Sequence, residues 1–304
     1  MGEMRFQRSA LLLVTSVVAL SACASSAPSS NDATTTSSIN SIASTQTTEV
    51  TTSAIPDGYE AITTADGRTR TFRVVDLAEG EPAPLLFVLH GFGGTAEGLR
   101  QYVDLESRLS ARVDEGVIVV YPNGSGSDEG LPQSWNAGGC CPFAIYDMVD
   151  DVAFFDELLD VIEARYDIDE RRVWVVGHSN GGMMAYRLAC QLSSRVTAIG
   201  VAAGALMIDQ CSPTRPVSAL HLHGDLDAVV PVAGGETAGI AFPSARDSFT
   251  RFATTNACIA NDTAATCPTG VEVSIITDPQ WTHDWQSAWN DLLVEFLLRQ
   301  SSEQ

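Results

Sequence analysis

One serine in this sequence lies in a pentapeptide that could make it a nucleophile. Residues 177–181 read GHSNG and match the pattern G-x-S-x-G, in which a sharp turn between a strand and a helix exposes the serine hydroxyl. Glycines flank such a turn because the neighbouring backbone leaves no room for Cβ atoms. The pattern recurs by chance, but here a valine-rich stretch precedes it and a helical stretch follows it. We therefore predict that Ser179 is a nucleophile and not a structural turn residue.

A serine nucleophile needs a base that accepts its proton and an acid that orients the base. In a strand–turn–helix context of this kind, the acid and then the histidine follow the serine along the chain. His283 follows Ser179 at a suitable distance, between a predicted strand and the last predicted helix. His221 and His223 also follow Ser179, but they precede the acid loop, and we expect them to pack or to form hydrogen bonds at a strand end. The predicted base is His283.

The acid has two main candidates. A buried strand over residues 217–223 leads into the sequence GDLD, so Asp225 and Asp227 both lie where an acid is needed. Asp284 is a third candidate, although a carboxylate next to His283 in the chain rarely reaches the imidazole Nδ1. These residues alone leave the acid open between Asp225 and Asp227.

Two backbone N–H groups could stabilise the oxyanion that forms when a serine attacks a carbonyl group. One belongs to Asn180, which directly follows the nucleophile at a helix N-terminus. The other lies in residues 90–94, HGFGG, whose glycines allow an exposed N–H, and we assign it to Phe92.

The stretches that hold these residues alternate between strand and helix. Stretches of strand length occur at residues 70–77, 84–89, 117–121, 172–176, 197–203, 217–223 and 271–277, and residues 84–89 are a continuous apolar run. Helical stretches follow or separate them at residues 147–166, 183–192 and 285–299. This alternation predicts an α/β fold with a mostly parallel sheet flanked by helices.

The first 54 residues carry export and tether signals. Residues 1–22 hold two arginines and then an apolar run too short to span a bilayer, which predicts a signal peptide. Residues 20–23, LSAC, resemble a bacterial lipobox, so we predict lipidation of Cys23 and membrane contact through that anchor alone. An ordinary signal peptide with an incidental cysteine is the alternative, and the protein would then be secreted. Residues 23–54 are rich in Ser and Thr and predict a disordered tether, which leaves residues 55–304 as one catalytic domain.

The chain has seven cysteines, and setting Cys23 aside leaves an even number for disulfides in an exported protein. These six are Cys140, Cys141, Cys190, Cys211, Cys258 and Cys267. Cys258 and Cys267 are close enough in sequence to form a local loop. Adjacent cysteines rarely bond to each other, so we expect Cys140 and Cys141 each to pair with one of the remaining two, in an order that stays open. With no C-x-x-C pair and no histidine at ligand spacing, we predict no metal site.

The formal net charge is −21, and all 17 basic residues are arginine. Such a chain would repel phosphate, which argues against nucleic acid as a partner and disfavours polyanionic substrates. A neutral substrate fits this charge better.

Four strings are more specific than the pentapeptide. They are WNAGGCC at residues 135–141, VDDV at 149–152, GHSNGGMM at 177–184 and HGDLDAVVP at 223–231. Together they resemble the polyhydroxybutyrate depolymerase family of esterases, which is similar to the feruloyl and acetylxylan esterases of carbohydrate esterase family 1. The resemblance spans nearly all of residues 55–304 and implies the α/β-hydrolase fold. It also implies cofactor-free hydrolysis of small or oligomeric esters, of hydroxyalkanoate or of feruloyl and acetyl type, through an acyl-enzyme.

The resemblance also assigns residues. In the family pattern HGxxDxxVP the aspartate is the triad acid, which implies Asp227, and the family's histidine is commonly followed by one residue and then Trp, as His283 is. Trp135, Trp281 and Trp285 would then lie near the site as substrate-binding walls. A peptidase of the same fold and a non-catalytic surface-binding lipoprotein are the alternatives.

Overall fold

The computed structural model describes residues 55–79, 82–126, 132–267 and 270–300. The predicted signal peptide, the lipidated Cys23 and the tether lie outside the described residues. The strands are β1 (Glu60–Thr63), β2 (Thr69–Asp76), β3 (Ala83–Leu89), β4 (Ile118–Pro122), β5 (Ile168–His178), β6 (Ala198–Ala202), β7 (Ser218–Gly224), β8 (Gly235–Thr237), β9 (Ile240–Phe242), β10 (Ile259–Ala260), β11 (Ala264–Thr266) and β12 (Val273–Asp278). The helices are α1 (Ala96–Arg100), α2 (Leu105–Ser110), α3 (Asp151–Glu163), α4 (Asn180–Gln191), α5 (Ala245–Thr255) and α6 (Ser287–Leu297).

Ten of these strands form one sheet in the order β1-β2-β4-β3-β5-β6-β7-β12-β11-β10. The six central strands, from β4 to β12, run parallel, whereas two strands at each edge join antiparallel. The predicted mostly parallel α/β sheet is therefore confirmed. Strands β8 and β9 form a separate hairpin.

Both faces of the sheet are covered, which explains the apolar runs of β3, β4 and β6. Every residue of β3, β4, β6 and β7 is buried. Helices α3, α4 and α5 pack on one face and α1, α2 and α6 on the other. The carboxyl ends of parallel strands meet at one edge of such a sheet, which is where open α/β folds bind ligands. β5 ends at His178 and β7 at Gly224, so the residues that follow them lie at this edge.

The predicted elements have counterparts in the structure, with shifted boundaries at the helices. The helix predicted from residue 147 begins at Asp151, because the side chain of Asp150 accepts a hydrogen bond from the Ala153 N–H and caps it. The sequence analysis missed β1, α1, α2, the β8–β9 hairpin, α5, β10 and β11. The missed helix α5 carries four polar threonine and serine residues, which weaken its apolar stripe.

The disulfides correct one prediction. Cys258 pairs with Cys267 as a local loop, as predicted. Cys140 and Cys141, however, bond to each other, and the expectation that each would pair with a distant cysteine is wrong. Cys190 lies on α4, and the chain after β6 brings Cys211 next to it, with a Cα–Cα distance of 4.8 Å. Because Cys190 and Cys211 pair with each other, neither is left to pair with Cys140 or Cys141.

In the described ranges, no group of three or more His, Cys, Asp or Glu side chains is placed to hold a metal ion. Among the same residues, no helix has the length and apolar character needed to cross a membrane.

Candidate active site

Ser179 lies in a tight turn between β5 and α4. Its φ of 54° is in the left-handed region, and its N–H donates to the Ala202 carbonyl at 2.7 Å. A Cβ on Gly177 would lie 2.1 Å from the Gly181 carbonyl oxygen, and one on Gly181 would lie 2.3 Å from that of Leu89. Only glycine fits at these two positions, so the turn holds Ser179 at the carboxyl edge of the sheet.

The structure brings Ser179, His283 and Asp227 together. His283 Nε2 lies 2.9 Å from Ser179 Oγ, and His283 Nδ1 lies 2.8 Å from Asp227 Oδ2. Asp227 is buried in the loop after β7, and His283 lies in the loop between β12 and α6. The other acid candidates, Asp225 and Asp284, are exposed and do not contact the imidazole. The geometry is that of a nucleophile, a base and an orienting acid.

The carboxylate of Asp227 accepts hydrogen bonds from several donors. Its Oδ1 accepts hydrogen bonds from the N–H groups of Val229 at 2.9 Å and Val230 at 2.8 Å. Burial raises the pKa of Asp227, but hydrogen bonds from His223, His283 and the Val230 N–H outweigh it and hold that pKa well below its usual range. Asp227 is therefore ionised and can stabilise a cationic imidazole.

His178, within the turn itself, supports the base. Its Nε2–H donates to the backbone carbonyl of His283 at 2.7 Å. Burial lowers the pKa of His178 to about 4, so it is a neutral donor at physiological pH. The sequence analysis did not assign this role, because the pattern leaves the residue before the serine unspecified.

Phe92 and Asn180, the two predicted oxyanion donors, border the nucleophile. The Asn180 N–H is the first amide of α4 and has no acceptor within the helix. Phe92 follows Gly91, where an added Cβ would lie 3.2 Å from the Cβ of Ser179. Neither N–H hydrogen-bonds to the described part of the chain, so both can bind an oxyanion.

Trp135 links the two loops that carry these amides. Its backbone N–H donates to Asn180 Oδ1 at 2.7 Å, and Asn180 Nδ2 donates back to the Trp135 carbonyl at 3.0 Å. Its indole N–H donates to the His90 carbonyl at 2.9 Å. Trp135 is fully buried against the rings of His90 and Phe155, so its prediction as a substrate-binding wall is wrong. Trp135 instead positions the oxyanion loops.

A buried ion pair anchors the loop that contains Trp135. Arg70 donates to Asp151 Oδ1 at 2.7 Å, and the Asn136 N–H donates to Asp151 Oδ2 at 2.7 Å. The Arg70 guanidinium also lies 4.0 Å from the ring centre of Phe154. The sequence analysis missed this pair, although a signal existed: Asp151 lies on the apolar stripe of α3, where a charge needs a buried partner.

His90 stabilises the loop that contains Phe92. Its Nε2 accepts the Gly124 N–H at 2.9 Å, so its Nδ1–H donates to the Gly91 carbonyl at 2.7 Å. Burial lowers the pKa of His90 to about 4 and keeps it neutral.

The other two predicted substrate-binding residues lie on the loop of the base. Trp281 and Trp285 are partly exposed, and each ring packs 5.7 Å from that of Trp289. Contact of these two rings with a substrate stays a prediction.

The comparisons with known proteins agree with this architecture. The family described as alpha/beta hydrolase family matches residues 85–300. The chain is similar to feruloyl esterase B of Piromyces equi, with 29% identity over 71% of this chain and 42% of that protein. It is also similar to feruloyl esterase C of Emericella nidulans, with 29% identity over 62% of this chain and 59% of that protein. The chain thus spans about half the length of these relatives.

Among solved structures, the acetyl xylan esterase from Aspergillus awamori superposes with a TM-score of 0.56 at 13% identity, covering 79% of this chain and 99% of that one. The Bacillus cereus carboxylesterase gives a TM-score of 0.54 at 17% identity, covering 75% and 94%. At these identities the likeness shows the fold alone.

Proposed function

We propose that this chain, which belongs to the alpha/beta hydrolase family, is an exported serine carboxylesterase that works through an acyl-enzyme on Ser179. The observation that carries the proposal is the continuous hydrogen-bonded arrangement of Ser179 Oγ, His283 and Asp227, at 2.9 and 2.8 Å. The similarity to feruloyl esterases supports ester hydrolysis over other reactions of the family.

In the proposed reaction, Ser179 Oγ attacks the ester carbonyl carbon while His283 Nε2 takes the hydroxyl proton. The oxyanion accepts hydrogen bonds from the N–H groups of Phe92 and Asn180. When the tetrahedral species collapses, His283 gives its proton to the departing alcohol. A water molecule, deprotonated by His283, then attacks the acyl-enzyme carbonyl carbon. The bond from that carbon to Ser179 Oγ breaks, the acid is released, and His283 returns its proton to Ser179 Oγ. Asp227 holds the Nδ1–H of His283 throughout and stabilises the imidazolium.

The proposed substrates are uncharged esters of feruloyl, acetyl or hydroxyalkanoate type, small or oligomeric. The net charge of −21 disfavours a polyanionic substrate. The partly exposed rings of Trp281 and Trp285, on the loop of the base, could contact an aromatic or aliphatic acyl group.

The test is hydrolysis of p-nitrophenyl acetate and butyrate, methyl ferulate, acetylated xylan and hydroxybutyrate oligomers by the protein and by its Ser179→Ala variant. We expect Ser179→Ala to lower kcat by about 10⁴- to 10⁶-fold on every active substrate. Ser248→Ala is the matched control, because Ser248 is fully buried in α5 and its hydroxyl contacts Ser244 and Leu206, outside the triad.

Two other results would contradict the proposal. If a fluorophosphonate probe labels Ser179 but only peptides are cleaved, the protein is a peptidase of the same fold. If a folded protein neither reacts with the probe nor hydrolyses any ester, it is a binding lipoprotein that keeps the fold.

Export and anchoring are part of the proposal. Three disulfides suit an oxidising compartment, and Cys23 is the proposed site of lipidation, which would anchor the protein to the outer face of the cell membrane. Metabolic labelling with radioactive palmitate should mark the protein and not its Cys23→Ala variant. Equal labelling of both, or of neither, would remove Cys23 as the anchor.

A further inference from the structure

A chain of buried hydrogen bonds lies behind the acid of the triad. Tyr186 Oη lies 2.9 Å from His221 Nδ1, and His221 Nε2 lies 3.0 Å from His223 Nδ1. His223 Nε2 then lies 2.8 Å from the Val230 carbonyl oxygen and 3.3 Å from Asp227 Oδ2. Tyr186 is 1% exposed and both histidines are 0% exposed, so water does not compete for these bonds.

The acceptors determine which nitrogen atoms carry protons. The Val230 carbonyl only accepts, so His223 Nε2 must carry a proton. In a neutral His223, Nδ1 then accepts from His221 Nε2–H, and His221 Nδ1 accepts from the Tyr186 hydroxyl. If His223 were a cation, the direction would reverse and the Tyr186 hydroxyl proton would lack an acceptor among the described residues. Every polar atom is satisfied when all three groups are neutral and donate towards Asp227.

Burial favours the neutral state of the first two groups in the chain, Tyr186 and His221. It raises the pKa of Tyr186 far above its ordinary value, so the hydroxyl stays a donor. Burial, together with the neighbouring His223, lowers the pKa of His221 well below its ordinary value. The groups that face the chain are Asp227, from the loop after β7, and beyond it the base His283.

The chain joins two elements of the site. His221 and His223 are two residues apart on β7 and so project to the same face of the sheet. Tyr186 lies on α4, the helix that begins directly after Ser179. The three side chains therefore connect the nucleophile's helix to the acid's loop.

We propose that Tyr186, His221 and His223 are positioning residues that orient the Asp227 carboxylate towards His283 and supply its Oδ2 with a second donor. The inference rests on the proposed function, since it concerns the acid of that triad. His223 donates one N–H to both the Val230 carbonyl and Asp227, which fixes the position of the carboxylate relative to the backbone at Val230. His221 and Tyr186 hold His223 in the tautomer that can donate.

The first test needs no substrate. In ¹⁵N-histidine NMR spectra of the whole protein, we expect His221 and His223 to be neutral Nε2–H tautomers at pH 7, assigned through Tyr186→Phe and His223→Gln spectra. A protonated Nδ1 on either histidine would overturn the proposal. Because this readout is independent of turnover, it separates failure of the chain from failure of the esterase assignment.

The second test is kinetic. We expect His223→Leu to lower kcat about ten- to a hundred-fold with KM unchanged, as loss of a hydrogen bond to a charged group does. The acid limb of the kcat/KM profile should move to higher pH, because a carboxylate with one donor fewer holds the protonated base more strongly. His223→Gln, which keeps an N–H near the position of Nε2, should recover most of the rate. Tyr186→Phe should cost about two- to ten-fold.

Asn256→Ala is the matched control. Asn256 is buried and its Oδ1 accepts the Val217 N–H, so it supports the opposite end of β7. This variant should lose stability but keep the kcat and the pH profile of the folded enzyme. If His223→Leu behaves like Asn256→Ala, or if His223→Gln recovers nothing, the chain serves packing alone and the proposal is wrong.

Discussion

On one side of Ser179 a chain of tyrosine and histidine side chains lies behind Asp227, whereas on the other side a buried ion pair lies behind the loop that contains Trp135. Behind Asp227 lies the hydrogen-bonded chain of Tyr186, His221 and His223, which we propose to be uncharged. The Trp135 loop is supported by the buried ion pair of Arg70 and Asp151.

The difference follows from the charge of the group that each network holds. Asp227 is itself an ion in a buried site, and a second full charge behind it would alter its interaction with His283. The oxyanion donors are backbone amides, so a charge pair a few residues away can stabilise their loop without a direct effect on the chemistry. Disturbing the first network should change rates, and disturbing the second should first change stability.

The largest effect on the acid side is expected from Asp227→Asn. An amide at this position would favour the wrong tautomer of His283, and kcat should fall by about 10⁴-fold while the melting temperature changes little. Asp225→Asn, at an exposed position in the same loop, is the control and should keep full activity. Full activity in Asp227→Asn together with a large loss in Asp225→Asn would show that the acid has been assigned to the wrong residue.

On the side of the oxyanion donors, the largest effect is expected from Asp151→Asn, which removes the negative charge of the buried ion pair. Removing one partner leaves Arg70 buried and unpaired, so the free energy of unfolding should fall by about 3–5 kcal/mol, measured by urea denaturation. The control is Asp156→Asn on the same helix, whose ion pair with Arg195 is exposed and should cost less than about 1 kcal/mol. If the two variants were equally stable, the ion pair would not anchor the loop.

A smaller effect is expected where the oxyanion side does touch the chemistry. Trp135→Phe removes the indole donor to the His90 carbonyl, and we expect kcat to fall about ten-fold because the Phe92 loop loosens. The control is Trp174→Phe, which loses a similar buried hydrogen bond from the indole N–H to the Gln300 carbonyl at 3.2 Å. Neither Trp174 nor Gln300 belongs to the Phe92 loop. Steady-state kinetics should separate the two, and equal rates would remove Trp135 as a positioning residue.

The smallest expected effect is that of acidic pH, since one buried neutral histidine, His221, lies behind Asp227 and another, His90, lies behind the Phe92 loop. The pKa of His90 is lowered from 6.5 to about 4, so between these pH values the unfolded chain binds a proton that the folded chain does not. Stability should therefore fall on acidification, by about 1.4 kcal/mol per pH unit for each such histidine. Unfolding free energies from pH 7 to 4.5 should show a shallower slope in His90→Gln and in His221→Gln. If the slope in one variant equals that of the unsubstituted protein, the substituted histidine is not held neutral in the folded state.

Much of the fold was predictable because it depends on local pattern. Residues 84–89 are a continuous apolar run, which is typical of a parallel strand covered on both faces, and they form most of the central strand β3. The short elements were missed for the opposite reason: α1 and β10 bury too few residues to leave a periodic signal. Asp227 could be chosen over Asp225 only through family resemblance, because both follow the same strand.

The sequence by itself determined the turn at Ser179, since a Cβ on Gly177 would lie 2.1 Å from the carbonyl oxygen of Gly181, four residues along the chain. It also determined the order of acid and base. Tertiary structure alone decided that Trp135 is buried, that Cys140 pairs with Cys141, and that Tyr186 reaches His221. The contacts of Trp135 and Tyr186 join residues 45 and 35 positions apart, and the cysteine pairing depended on where Cys211 returns to the core. Side-chain pairing over such separations depends on how packed layers meet, which local periodicity does not encode.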